Sequence, residues 1–330
     1  MSAPDASHET AVEAAAEELQ QPAVAHRSQL QEFWRNFRRN RLSVIGAVLI
    51  LMYILMALFA PLLAPYNPVE QFNAPSGMRN PLPPGSLGVD GEYFLLGTDK
   101  FGRDMLSRAI FGTRTLLELA LGAVTIACLL GVLIGSVAGY REGSWIDEVL
   151  MRAVDIMLSF PTLVLAIALL GAFGMGAIEV GPVTISNMVK IMIVVAVTYA
   201  PQFARVMRGV VLQEMAQDYV DAAVVTGASG PRILVREVLI NTIPPIMVQA
   251  SLMVATTVLI SASLSFLGLG LQPPTPSLGI MLNESRDFLF LGAWWYALVP
   301  GAFISLAILG FNLLGDGLRD ALDPRQARRI

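Results

Sequence analysis

Four stretches of this chain, Leu42 to Ala64, Leu119 to Tyr140, Ile156 to Ile178 and Phe288 to Gly315, contain no Asp, Glu, Lys or Arg. Each exceeds the roughly 20 apolar residues that a helix needs to cross a bilayer core about 30 Å thick. Hydrocarbon offers no partner for backbone N–H and C=O groups, so such stretches fold as membrane-spanning helices. A further uncharged stretch, Val238 to Asn283, is too long for one helix. Pro244-Pro245 marks the start of a span inside it, and Gly268, Gly270 and Pro273-Pro274 mark its end, which places that helix near 245–265. A sixth span, about 184–205, is interrupted only by Lys190, whose long side chain would snorkel to the interface. Composition agrees: 15% of the 330 residues are charged, against roughly 25% in soluble domains. A soluble enzyme is excluded, and the dispersed Lys and Arg argue against nucleic acid as a partner.

Six spans put both chain ends on one side. Arg35, Arg38, Arg39 and Arg41 then share the cytoplasmic face with Arg325, Arg328 and Arg329, and 15 of the 22 Lys and Arg face inward. Lys100, Arg103, Arg108 and Arg114 crowd the outer approach to the second span and run against that tendency. The expected architecture is an all-α polytopic membrane protein. It has a cytoplasmic tail (1–41), a first transmembrane helix (42–64) and an extracytoplasmic Pro/Gly-rich loop with an interfacial helix over 101–117 (65–114). A five-helix core (115–318) and a cytoplasmic tail (319–330) follow. The head of the chain, with its Ala/Glu run from Glu9 to Gln21, lacks the form of a signal peptide.

Several chemistries are missing from the residue inventory. The only histidines, His8 and His26, precede every apolar segment, so no histidine base or His-rich metal site lies in the membrane. Cys128 is the one cysteine and sits in an apolar run. The only lysines, Lys100 and Lys190, follow Asp99 and Val189, so the chain has no Gly-Lys-Ser/Thr phosphate loop and cannot hydrolyse ATP alone. No Asp, Glu or Lys occupies the middle of a span, which leaves no obvious proton relay.

The most patterned connection lies between spans four and five, over 210–241. Val210 to Thr226 has good helix formers and no proline, and Gly227 supplies a residue suited to end a helix in the left-handed conformation. Ser229 can cap a second start, Pro231 falls in its first turn, and Ile233, Leu234 and Val238 give that helix an apolar side beside Arg232 and Arg236. The pattern predicts a short helix, a turn and a second short helix. Such an element either closes a connection or carries a docking surface.

Asp221-Ala222-Ala223, Gly227 and Val238-Leu239 at these spacings resemble the EAA loop of ABC importer permeases. Asp221 stands where that family usually has glutamate, and Ile240 where it usually has proline. Three other segments resemble the dipeptide, oligopeptide and nickel branch of the family. They are Leu96-Gly97-Thr98-Asp99 with Gly102-Arg103-Asp104 and Ser107-Arg108, then Ser263 to Gly270 with Gln272-Pro273-Pro274, and Phe311 to Asp320 with Asp323-Pro324. The resemblance runs from about residue 33 to the end of the chain.

What the resemblance implies is a permease subunit of the bacterial inner membrane that forms half of a pore for dipeptides or short oligopeptides. Nickel chelates, glutathione or sugars are alternative cargoes, and an ion-coupled secondary transporter is the alternative from a different class. The implied partners are a homologous second permease subunit, two ATPase subunits, an extracytoplasmic peptide-binding protein and the lipid bilayer. No cofactor is implied for this chain, since ATP and Mg would sit on the ATPases. Asp221, Ala222, Ala223, Gly227, Arg232 and Arg236 would dock the ATPase. In span five, Gln249, Thr256 and Ser263 recur every seven residues and form one stripe, a candidate pore lining.

Other charged and aromatic residues have simpler expectations. Arg152 and Asp155, three residues apart, suit an interfacial ion pair, and Glu118 reads likewise. Trp294, Trp295 and Tyr296 suit an aromatic belt. Asp99, Arg103, Asp104 and Arg108 suit a structural network outside the membrane.

Overall fold

The structure, a computed structural model, describes residues 29–174, 176–180 and 183–322. The Ala/Glu run and the tail with Arg325, Arg328 and Arg329 lie outside the described residues. Helix α1 (Gln29–Arg39) ends at Asn40, whose side chain accepts from the Leu42 N–H and caps α2 (Arg41–Leu58). The first span was expected to run to Ala64. It breaks at Phe59, and a single turn, α3 (Ala60–Leu63), follows. Pro61 has no N–H to give the carbonyl of Ala57, so the ladder ends there.

The outer segment carries a small antiparallel pair, β1 (Ser86–Leu87) and β2 (Tyr93–Phe94), with Ser86 opposite Phe94. The rings of Tyr66, Phe72 and Phe94 pack beside it at centroid distances of 5.1–5.7 Å. Helix α4 (Met105–Tyr140) then runs 36 residues without interruption. The interfacial helix expected over 101–117 is therefore not separate, because nothing between Met105 and Tyr140 breaks the ladder. Asp104 caps it by accepting the Ser107 N–H at 2.7 Å.

The third span is also altered. Helices α5 (Trp145–Leu158) and α6 (Thr162–Phe173) meet at a 96° bend. Pro161 lacks an N–H and forces Phe160 out of helical geometry, which a straight span over 156–178 cannot accommodate. A second antiparallel pair, β3 (Ile178–Val180) and β4 (Val183–Ile185), precedes α7 (Asn187–Met215). These two pairs, with an isolated bridge between Thr98 and Asp104, are the departures from an all-helical chain among the described residues. Beyond α7 come α8 (Asp218–Val225), the short α9 (Gly230–Ile233) and a π-helical turn over Leu234–Val238. That turn leads without a break into α10 (Leu239–Phe266), and α11 (Leu278–Leu289) and α12 (Trp294–Leu322) complete the chain. Five helical stretches are long and apolar enough to cross a membrane, or six if the bent pair α5–α6 counts as one.

Two more boundaries move. Pro244 and Pro245 lie inside α10 instead of starting it. Having no N–H, they leave the carbonyls of Ile240 and Asn241 without their usual backbone donors four residues on. The last span begins at Trp294, not Phe288, because Phe288 belongs to α11 and Gly292 (φ +89°) turns the chain between the two helices.

The tightest packing in the bundle is between α4 and α7. Gly131, Gly135 and Gly139, four residues apart, lie along α4 where α7 approaches. A Cβ on Gly131 would come within 2.2 Å of the Phe203 Cβ, and one on Gly135 within 2.4 Å of the Ala204 carbonyl oxygen. Small residues at this spacing let two helix backbones approach closely inside a membrane. A continuous apolar core joins α4, α7, α10 and α12 around Ala120, Val195, Phe203, Val258 and Leu264.

Candidate functional site

The segment between α7 and α10 is held by three sets of contacts. A separate apolar cluster, Met207, Val211, Val220, Ile233, Val238 and Ile246, fastens α8 and α9 to the ends of both long helices. A polar brace adds to it. The Tyr219 hydroxyl donates to Glu214 Oε2 at 2.6 Å and accepts from Asn241 Nδ2 at 3.0 Å, which joins the end of α7, α8 and the start of α10. Burial and the neighbouring Glu214 carboxylate raise the Tyr219 phenol above its ordinary pKa. The third contact is with α4. A Cβ on Gly230 would lie 1.7 Å from the Tyr140 hydroxyl oxygen, so the start of α9 rests on the end of that side chain.

The turn itself is a Schellman motif. Gly227, at φ +82°, donates to Val224 O at 2.9 Å, and Ala228 donates to Ala223 O at 3.0 Å. These bonds satisfy the last carbonyls of α8 and fix the angle at which the chain turns back. Asp221, Ala222, Gly227, Arg232 and Arg236 are exposed on this element, and Ala223 is half-buried. Val224 and Val225 are exposed beside them, the latter to 87%, at the tip of α8. The element thus offers a small apolar and acidic tip on a base braced at three points.

The structure corrects the expected outline in two ways. The first helix does not run from Val210 to Thr226: α7 continues to Met215, and Ala216-Gln217 separates it from α8. The second helix is not short, since α9 passes through the π turn into α10, and residues 230–266 form one helical stretch. Ile240 keeps the backbone N–H that a proline at that position would lack, so the chain passes through it in helical form.

Gln249, Thr256 and Ser263 lie along α10, with Thr256 exposed and the other two half-buried. The Thr256 hydroxyl donates to Met253 O at 2.9 Å and the Ser263 hydroxyl to Leu259 O at 2.8 Å. Each hydroxyl retains lone pairs for another donor.

At the other end of the bundle, a buried ionic network anchors the start of α4. Asp99 accepts from the Arg103 side chain at 2.5 Å and pairs with Arg108 at 3.4 Å. Arg103 reaches Glu284 of α11 at 3.3 Å, and Tyr296 donates to the same carboxylate at 3.3 Å. Arg108 is 1% exposed and Asp99 fully buried, so the group is internal framework. Tyr296 accordingly belongs to this network and not to an aromatic belt, while Trp294 remains exposed. Lys190 does not snorkel. It is buried, and its ammonium donates to the Gly174 and Gly176 carbonyls at 2.6 and 2.7 Å, beyond the last turn of α6. Asp155 pairs with Arg205 of α7 at 2.5 Å instead of Arg152, and Glu118 pairs with Arg114 at 3.0 Å.

Tyr219, Asn241 and Glu284 carry no local sequence signal, because their partners are remote in the chain or on another helix. Gly131, Gly135 and Gly139 did carry a signal in their four-residue spacing.

Comparison with known proteins agrees with this architecture. The family described as the binding-protein-dependent transport system inner membrane component matches residues 131–328. The N-terminal TM domain of oligopeptide transport permease C matches residues 28–84. The di/tripeptide transport system permease protein of Pseudomonas aeruginosa is 41% identical over 92% of this chain and 95% of its own. The dipeptide transport system permease protein of Escherichia coli is 42% identical over 90% of this chain and 93% of its own. A glutathione transport system permease protein of Pectobacterium atrosepticum is 37% identical over 91% and 92%.

Proposed function

The chain belongs to the family of binding-protein-dependent transport system inner membrane components, and on that premise we propose that it imports dipeptides or short oligopeptides as half of an ATP-driven pore. The other half is a homologous permease subunit. Two ATPase subunits supply the energy, and an extracytoplasmic binding protein delivers the peptide. This chain carries no cofactor of its own, and ATP with its Mg is held by the ATPases.

In this reading the protein sits in a bacterial inner membrane with six spans, α5 and α6 together forming the third, and with both termini in the cytoplasm. Residues 65–104 face outward, and the 218–238 element faces the ATPases. The observation that carries the reading is that this element combines an exposed tip, Asp221 to Val225, with a base joined to α4, α7 and α10. A push on the tip moves three helices as one body instead of bending a loop, the requirement for passing ATPase closure to a pore as rigid-body motion. Arg232 and Arg236 flank the tip and supply charged contacts to the ATPase surface. Gln249, Thr256 and Ser263 supply polar groups to the pathway on α10.

The test is co-purification. The ATPase subunits are expected to remain with the wild-type chain and to be lost when Val224 and Val225 are both replaced by Asp, while insertion is unchanged. Retention of the ATPases by that variant places docking elsewhere. The glutathione permease relative favours glutathione, a modified tripeptide, as a second cargo, and competition between labelled dipeptide and glutathione separates the two.

A further inference from the structure

We propose that α1 is a surface helix that binds anionic phospholipid, with Trp34 at headgroup level and Arg38, Arg39 and Arg41 on the lipid phosphates. This holds whichever solute the protein carries, since it requires only that α2 spans the membrane. One side of α1 is committed to the protein: Phe37 is 7% exposed, Phe33 stacks beside it, and the helix lies against α12. On the other side Trp34, Arg38 and Arg39 are exposed. Trp34 is 50% exposed, and the Arg38 guanidinium lies 4.6 Å above its ring, which holds the two groups together. Arg41 is exposed as well, and among the described residues no carboxylate pairs with Arg38, Arg39 or Arg41. Residues 29–41 contain four arginines and one glutamate.

The depth of these groups follows from the adjoining span. Leu42 and Ile45, within the first five residues of α2, are 57% and 49% exposed, and Val48 and Leu51 beyond them are exposed as well. These apolar side chains belong in hydrocarbon. Arg41 precedes Ile45 by only about 6 Å of helix, so the arginines fall at the level of the phosphates. The elbow is fixed there, because Asn40 caps α2 and also donates to Asp320 of α12 at 3.0 Å. Basic side chains at a membrane surface favour anionic lipid, on the order of fivefold for each arginine held there, and a tryptophan beside them is suited to the interface.

The experiment uses the full-length protein in nanodiscs of phosphatidylcholine that contain either brominated phosphatidylglycerol or brominated phosphatidylcholine at equal mole fraction. The chain has four tryptophans, so the emission of Trp34 is taken as the difference between wild type and Trp34→Phe. Trp34 should be quenched more strongly by the brominated phosphatidylglycerol, and the preference should vanish in the Arg38→Gln/Arg39→Gln/Arg41→Gln variant. Equal quenching by the two lipids means the helix inserts without reading the headgroup. No quenching means it is not at the membrane. Either result overturns the proposal. If the triple variant fails to insert, the wild-type comparison of the two lipids decides alone.

Discussion

Replacing Gly227 by valine isolates the conformational demand of the turn from any steric one. At φ +82° the glycine occupies the region that residues with a Cβ avoid, yet no atom lies within 4 Å of where that Cβ would sit. The cost is thus backbone strain alone, about 1–2 kcal/mol, and highest for a β-branched side chain. The strain is relieved by rotating φ, which pulls the Gly227 and Ala228 N–H groups away from Val224 and Ala223 and tilts α8 on its base. A free-energy difference of 1–2 kcal/mol is roughly a 5- to 30-fold change in an equilibrium. Retention of the ATPase subunits in a pull-down should fall by that factor, peptide uptake should fall with it, and the amount of inserted protein should stay constant. Asparagine tolerates the left-handed region better than other residues with a Cβ, so Gly227→Asn should fall between wild type and Gly227→Val. Wild-type uptake by Gly227→Val would refute the reasoning, and so would an equal loss in all substitutions accompanied by failure to insert.

Three further outcomes are expected. Gly135→Ala places a methyl group 2.4 Å from the Ala204 carbonyl and should cost about 1–3 kcal/mol by overpacking. The drop in thermal midpoint in detergent should be absent in Gly171→Ala, where no atom lies within 4 Å. With both termini in the cytoplasm, Ser76→Cys should react with an impermeant maleimide added outside and Ser229→Cys should not, and the reverse pattern would invert the topology. Thr256→Leu should reduce peptide uptake at normal expression if α10 lines the pathway, and unchanged uptake would remove that role.

Apolar length and the absence of charge made the spans legible in the sequence, because hydrocarbon penalises any charge inside it. Gly227 was legible for an equally local reason, as was the tendency of Asp99, Arg103 and Arg108 to form a structural group. The misread features depended on distant partners. Lys190 looked like a residue bound for the interface because nothing local shows that the carbonyls of Gly174 and Gly176, just past α6, await its ammonium. Glu284 gave no signal because its partner Arg103 lies 181 residues away. Pro231 does open α9, as its position in a first turn implies, but Pro244-Pro245 does not start a new helix, and α9 runs on into α10. The helical stretch 230–266 absorbs Pro244 and Pro245 in its interior, at the loss of two backbone hydrogen bonds. The break at Pro161 was open to the same local reasoning, since the residue before a proline leaves helical geometry.

Uptake into proteoliposomes that contain this chain, the second permease subunit and both ATPases, with the binding protein outside, tests the central claim most directly. Labelled dipeptide should accumulate only when ATP is enclosed with the ATPases and the binding protein is present, and it should persist after ion gradients are collapsed. Accumulation driven by an ion gradient without ATP, or undiminished when this subunit is left out, would contradict the account.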